Sequence, residues 1–251
     1  IAQFEGLSLD QADEMDILEA NGSVNFGSNK AYRAMLKKIK AGSPATNPDD
    51  LQYILDNVDV DNLFEYMALE MFVGNCNIRY YRLHQEGSKW KWIWYDADYG
   101  LYSSKFNSPW SYLKVKGMGE QKIDNTIFLK LLEHPDYKRK FLEKLADVYK
   151  TFTTEYMTQV LDGVVAEIQP EMKNHWERWG ELNDKAVTSE VPTTIDGAYT
   201  YWEIRVNRLY NTLKVRPHRL WDFIKDEFKL TKTEMEELFG PQPDYPDDAV
   251  L

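Results

Sequence analysis

Between residues 78 and 95 the apolar period drops from helical to two, and this switch constrains the fold more than any other feature of the chain. Ile78-Arg-Tyr-Tyr-Arg-Leu-His84 alternates, Gly87-Ser88 supplies a turn, and Lys89-Trp-Lys-Trp-Ile-Trp-Tyr95 alternates again. The pattern predicts a β-hairpin. Trp90, Trp92 and Trp94 share one face of its second strand, and strand parity carries that phase on to Asp96 and Asp98, where Tyr99-Gly100 ends the strand. Alternating aromatics on a hairpin read first as core, and otherwise as an exposed platform for a sugar or base.

Helical periods surround the hairpin. Ser28 caps a helix over residues 29–40 with Tyr32, Met35, Leu36 and Ile39 on one face. Asn47-Pro48 opens a second, with Leu51, Ile54 and Leu55 inward. Asp59 or Asp61 starts a third, whose Leu63, Phe64, Met67, Met71 and Phe72 are core and which stops at Gly74-Asn75. Three helices are thus expected before any strand. Residues 101–122 read as a long loop, too long for a mere connector. Downstream, Asp124 caps a helix to about His134, and Pro135 starts another bearing Phe141, Leu142, Leu145, Val148 and Tyr149. Thr154 caps a third with Met157, Val160, Leu161, Val164 and Ile168 inward, interrupted at Pro170. Residues 180–197 form a polar linker. One helix then carries Trp202, Val206, Leu209 and Leu213, a separate helix starts at Pro217, and a Thr231/Glu234 capping box opens the last. The fold class is α+β, mainly α-helical, with a small β-hairpin carrying an acidic site.

Composition closes off several function classes. A chain of 251 residues with 43% apolar and 14% aromatic content builds a real core. Its net charge of −11 repels phosphate backbones and anionic lipid, so nucleic acid and membrane surfaces are poor first guesses as partners, local basic patches aside. The apolar stretch at 67–74 is broken by Glu70 and falls short of the ~20 residues a bilayer span needs, so no membrane span is expected. Cys76 stands alone, and His84, His134, His175 and His218 are too scattered for a zinc motif. The chain opens on Ile-Ala-Gln-Phe, without Met or a signal peptide, which suggests a processed, excised or partial sequence.

The residues that can carry chemistry are Asp96 and Asp98. Two carboxylates on one strand face can jointly hold a hard cation such as Mg²⁺. Two strand-end Asp residues equally read as Asx turns that cap backbone amides. The order Asp59-Val-Asp-Asn-Leu-Phe-Glu-Tyr-Met67, Phe72-Val-Gly-Asn75, Asn77-Ile-Arg-Tyr-Tyr-Arg82 and Lys89-Trp-Lys-Trp-Ile-Trp-Tyr-Asp-Ala-Asp-Tyr-Gly100 resembles the CotH kinase family, as do residues 125–141, Ile168-Gln-Pro-Glu-Met172 and Arg178-Trp179. The resemblance covers roughly residues 1–240. It implies an atypical protein kinase-like fold of which this chain is the C-terminal lobe, with ATP and Mg²⁺ as cofactors. Serine-containing spore-coat or surface proteins are the implied substrates, and a spore-coat or extracellular, cell-surface location follows. It further implies Asp98, Asp96 and Asn77 as metal ligands. On this reading residues 1–240 form a CotH kinase-like domain and residues 241–251 a C-terminal extension.

One stretch departs from the family pattern. Its members place an acidic residue after the Gly-Asn pair, in a short loop that ends in a metal-binding Asn. Here the chain reads Gly74-Asn75-Cys76-Asn77-Ile78. Aligned from the strand, Asn77 is the metal-binding Asn and the catalytic Asp is deleted; aligned from the helix, Asn77 replaces that Asp. The first alignment keeps Ile78–Arg82 in register. A genuine shortening requires an unbroken chain from Gly74 through Ile78, with Cα atoms about 3.8 Å apart. No Gly-rich phosphate loop occurs in residues 1–75, so the family's upstream nucleotide-binding half is expected to be missing. A pseudokinase is therefore one expectation beside the kinase. Two others are a surface interaction or adhesion module and a carbohydrate-binding module built on exposed tryptophans; burial of the indoles separates the last from the rest.

Overall fold

The computed structural model describes residues 1, 3–8, 11, 13–75, 78–98, 100, 101, 124–186 and 194–247. They divide into two compact units, 1–100 with 124–148, and 149–247 with Leu101. The mainly helical α+β class is correct. No described helix is long and apolar enough to cross a membrane.

The first unit is built on a four-stranded antiparallel sheet of order β2-β1-β3-β4, with β1 Met15–Glu19, β2 Ser23–Phe26, β3 Arg79–Leu83 and β4 Lys91–Ile93. The expected hairpin is β3–β4, with Tyr80 opposite Trp92. Two strands precede the first helix, contrary to expectation. They escape a period-two reading for different reasons. β2 is four residues long and wholly exposed. β1 lies between two strands and buries adjacent residues, including Asp16, whose Oδ1 accepts from the Ser28 N–H at 2.7 Å and lies 3.1 Å from His84 Nε2. A buried Asp satisfied in this way looks polar in sequence and is core in structure.

The helices of this unit are α1 Lys30–Ala41, α2 Pro48–Asn57, α3 Val60–Val73, α4 Thr126–Leu132 and α5 Pro135–Thr151, the last running on into the second unit. The starts of α2, α3 and α4 follow the sequence signals, with Asn47 accepting from Asp49 N, Asp59 from Asn62 N and Asp124 from Thr126 N, whereas α1 has Asn29 and not the expected Ser28 at its N-cap, without a side-chain bond. Ring packing joins sheet to helices. Tyr32 of α1 stacks on Tyr80 at 4.4 Å and meets Trp90 edge-on at 5.1 Å, while Phe64, Phe128 and Phe141 form a three-helix cluster.

In the second unit, α6 Thr154–Ile168 and α7 Met172–Ala186 are separated by a 3₁₀ turn at Gln169–Glu171, which holds Pro170 as expected. α7 continues through much of the stretch expected to be linker. The apolar face of α6 is not core: Val160, Val164 and Ile168 are each at least 40% exposed, and Met157 and Leu161 are half-buried. Part of its packing on α8 is polar, with the Tyr210 hydroxyl donating to Asp162 Oδ1 at 2.6 Å.

α8 Ile195–Phe228 is one helix of 34 residues, where two were expected. Pro217 lies inside it and cannot donate to the Leu213 carbonyl, a loss that ordinarily contributes to a cost of about 3 kcal/mol. Here the Thr154 hydroxyl donates to that carbonyl at 3.2 Å. The helix therefore continues, with Leu220, Trp221 and Ile224 of its second half buried. α9 Lys232–Phe239 opens with the expected Thr231/Glu234 capping box. The segment after it is tied back to α8. Trp221 Nε1 donates to the Gly240 carbonyl at 3.1 Å, Gln242 Nε2 donates to Asp222 at 2.9 Å, and His218 Nδ1 lies 2.6 Å from the Pro243 carbonyl.

Thr154→Val should lower stability by about 1 kcal/mol in denaturant unfolding, the net worth of one hydrogen bond. In a Pro217→Ala background, where residue 217 regains its N–H, that cost should shrink toward zero. Equal costs in both backgrounds would show that the hydroxyl does not serve the Leu213 carbonyl.

Candidate functional site

The site is assembled by α3, which runs beside β4 and the segment that follows it. At the N-terminal end, Asn62 behaves as an extra strand partner: its Nδ2 donates to the Trp92 carbonyl at 3.2 Å and its Oδ1 accepts from the Trp92 N–H at 2.5 Å. Asp59 N donates to the Trp90 carbonyl and Trp90 N to the Asn57 carbonyl. The outer edge of β4 is thereby paired instead of bare.

At the other end, Gly74 takes the left-handed conformation (φ 77°) that stops α3, and the Gly74 and Asn75 N–H groups both donate to the Glu70 carbonyl, at 2.9 and 3.1 Å. Asn75 also binds the Glu70 side chain, its Nδ2 donating to Oε1 at 3.2 Å. Both side chains are fully buried. The Trp94 indole lies close enough to the same carboxyl group to favour its charged form. Burial pushes Glu70 up to about 8, against the pull of these two groups. Among the described residues Glu70 Oε2 and Asn75 Oδ1 meet no hydrogen-bond partner.

These contacts fix the start of the acidic segment. Trp94 lies against Glu70, and the next residue, Tyr95, lies under the Arg79 guanidinium, 3.9 Å from its ring centre, while Arg79 is paired with Glu19 of β1. The far end is fixed by Gly100. Its N–H donates to the Ala97 carbonyl at 2.8 Å, closing a turn that contains Asp98. A side chain there would meet that carbonyl at 2.8 Å and Val73 of α3 at 3.3 Å. Glu70 and Val73, one helical turn apart, thus hold the two ends of the Asp96–Gly100 turn.

Asp96 and Asp98 are both exposed on this turn. The expected route to their pairing needs correction: β4 ends at Ile93 and Asp96 has φ 53°, so the strand pleat does not relate them. An Asp can adopt this left-handed conformation more readily than a bulky residue, which lets the chain turn there. Asn77 and Cys76 lie outside the described residues, as does the expected loop at 102–122; the spacing from Gly74 to Ile78 lies there too. Among the described residues no three His, Cys, Asp or Glu side chains gather as a metal-binding group. The donor chemistry of Asp96 and Asp98 nonetheless suits Mg²⁺, which is commonly held by one or two carboxylates together with phosphate oxygens.

Trp90 and Trp92 are buried, so the tryptophan face is core and not a sugar platform. Trp94 is 45% exposed, but it lies beyond the strand with its indole against Glu70. Sequence reasoning treated Glu70 only as the break in an apolar stretch. A lone acid among Met67, Ala68, Met71 and Phe72, all buried, is the signal that could have identified it.

A family model described as CotH kinase protein matches residues 4–220. Neither curated proteins nor solved structures gave a match.

Because Glu70 is protonated more readily in the folded than in the unfolded chain, its stabilising contribution is fully present below about pH 4.5 and is lost as pH rises through about 8. Thermal or denaturant unfolding of the wild type and Glu70→Gln should therefore diverge with pH. The wild type should lose stability relative to the variant between those limits, with a slope approaching about 1.4 kcal/mol per pH unit. A constant difference across the range would exclude a buried neutral acid.

Proposed function

The chain belongs to the CotH kinase family, and from that premise we propose that the Asp96–Gly100 turn is its Mg²⁺-ATP site, serving phosphorylation of serine in spore-coat or cell-surface proteins. Membership in the family points to a kinase-like function and nucleotide use. The observation that carries the finer reading is the Asp96–Gly100 turn itself, which packs against Val73 of α3 through Gly100 and carries two exposed Asp residues. Asp98 and Asp96 would hold the metal with Asn77, and the metal would supply neutralisation of phosphate charge. Phosphoryl transfer depends mainly on positioning and charge stabilisation, and a turn fixed by packing and hydrogen bonds suits that requirement. In this reading residues 1–240 form the kinase-like domain and 241–251 its extension.

A second reading rests on Gly74-Asn75-Cys76-Asn77-Ile78, where no carboxylate stands at the family's catalytic position. Loss of a general base costs about 10²–10⁴-fold in rate, so a nucleotide-binding but inactive protein, acting as a surface interaction module, follows from that residue change.

Calorimetric titration with Mg²⁺-ATP and a labelled-ATP transfer assay test both. The wild type should bind Mg²⁺-ATP, and Asp98→Asn and Asp96→Asn should each weaken binding by about tenfold or more, the scale of a lost charged metal ligand. Unchanged affinity in both variants, or no binding by the wild type, removes the kinase reading. Binding without transfer supports the inactive module.

A further inference from the structure

Glu70 is a buried acid that the proposed site does not use directly, and its surroundings define the form it takes. It is fully buried, as is Asn75. Asn75 Nδ2 donates to it, the Trp94 indole lies against it, and both groups are neutral. The charged groups on the turn these contacts support, Asp96 and Asp98, are exposed to solvent. Among the described residues two atoms are left over, Glu70 Oε2 and Asn75 Oδ1. With Glu70 ionised both are acceptors, and a buried acceptor without a donor costs about 1–3 kcal/mol, more for a charged group. A proton on Oε2 turns one of them into a donor. The acid and the amide can then pair reciprocally, with Asn75 Nδ2 donating to Oε1 and Oε2 donating to Asn75 Oδ1. A single proton thus turns the two leftover acceptors into a matched donor and acceptor.

We propose that Glu70 is a positioning residue, held as a neutral carboxylic acid, which fixes the Asp96–Gly100 turn against the end of α3 through the Asn75 amide and the Trp94 indole. Its consequence for ligand binding rests on the reading of that turn as the Mg²⁺-ATP site. Loss of the proton places an unpaired charge beneath the turn, loosens Asn75 and Trp94, and weakens the presentation of Asp96 and Asp98. Burial, which moves Glu70 far above an ordinary carboxylate, is consistent with this form. The Tyr95 phenol, raised chiefly by burial, stays protonated over the same range.

The test uses the whole chain with Glu70→Gln, a neutral isostere that reproduces the donor and acceptor of the acid. The Trp94 contribution to fluorescence is isolated as the difference between each protein and the same protein carrying Trp94→Phe, and is followed from pH 6 to 10. It should change through a one-proton transition near pH 8 in the wild type and stay flat in the Gln variant. In parallel, wild-type affinity for Mg²⁺-ATP should fall by at least about threefold across the transition, a shift absent in the variant. A Trp94 signal that is flat in the wild type, or identical in both proteins, overturns the proposal, and so does failure of the Gln variant to fold. A fluorescence transition with pH-independent nucleotide affinity overturns the positioning role. If the wild type binds no Mg²⁺-ATP at any pH, the kinase reading fails, and the fluorescence comparison still decides the state of Glu70.

Discussion

The first unit depends on one helix holding the same neighbouring segment at two places. α3 pairs with β4 through Asn62 near its start, and through Glu70 and Val73 near its end it holds the residues after that strand. The two attachments differ in kind. Asn62 supplies a side-chain amide where a further strand would supply a peptide group, so a three-residue strand survives as the sheet edge. Glu70 and Val73 supply a buried polar contact and a close steric fit. Between them, Trp92 fixes the register, because its backbone is bonded to Asn62 while its ring packs against Tyr80. The position of Asp96 and Asp98 is therefore set in part by a helix that lies outside the acidic turn.

The sheet adds a second constraint. Tyr32, Tyr80, Trp90 and Trp92 fill the space between α1 and the hairpin, with centroid separations from 4.4 to 5.8 Å. Such rings bury large areas in few rotamers, which makes the strand support stiff. Arg79 extends that stiffness outward: it leaves β3, pairs with Glu19 and covers Tyr95. The acidic turn is thus reached from a rigid strand on one side and from a helix terminus on the other. That arrangement suits chemistry in which geometry matters more than reactive side chains.

Much of this was legible in the sequence because the signals were local. Asn47-Pro48, Asp59, Gly74 and the Thr231/Glu234 box mark helix ends by hydrogen bonds made within a few residues, and the structure has them there. What was not legible depends on distant partners. Pro217 reads as a helix start because the donor that replaces its N–H, Thr154, is 63 positions away in sequence. β1 was missed because Asp16 interrupts it, and only Ser28 and His84 make that acid acceptable inside. Val160, Val164 and Ile168 of α6 carry a helical apolar period that predicts burial, yet the period says nothing about how much of that face a neighbour covers. At the site, Asp96 and Asp98 were identified by type. Their support was not, since strand parity fails once Asp96 turns left-handed and Glu70 carries no motif.

The proline inside α8 has a mechanical side as well. Helices in contact can slide past one another by small steps when their seam is made of interchangeable apolar contacts. The bond from Thr154 to the Leu213 carbonyl is not interchangeable, because only one carbonyl in that helix has lost its donor to Pro217. Displacing α6 along α8 by even one residue would leave that carbonyl bare and bring the hydroxyl to one already occupied. The proline therefore works as a detent, turning a local defect in one helix into a unique axial alignment of two.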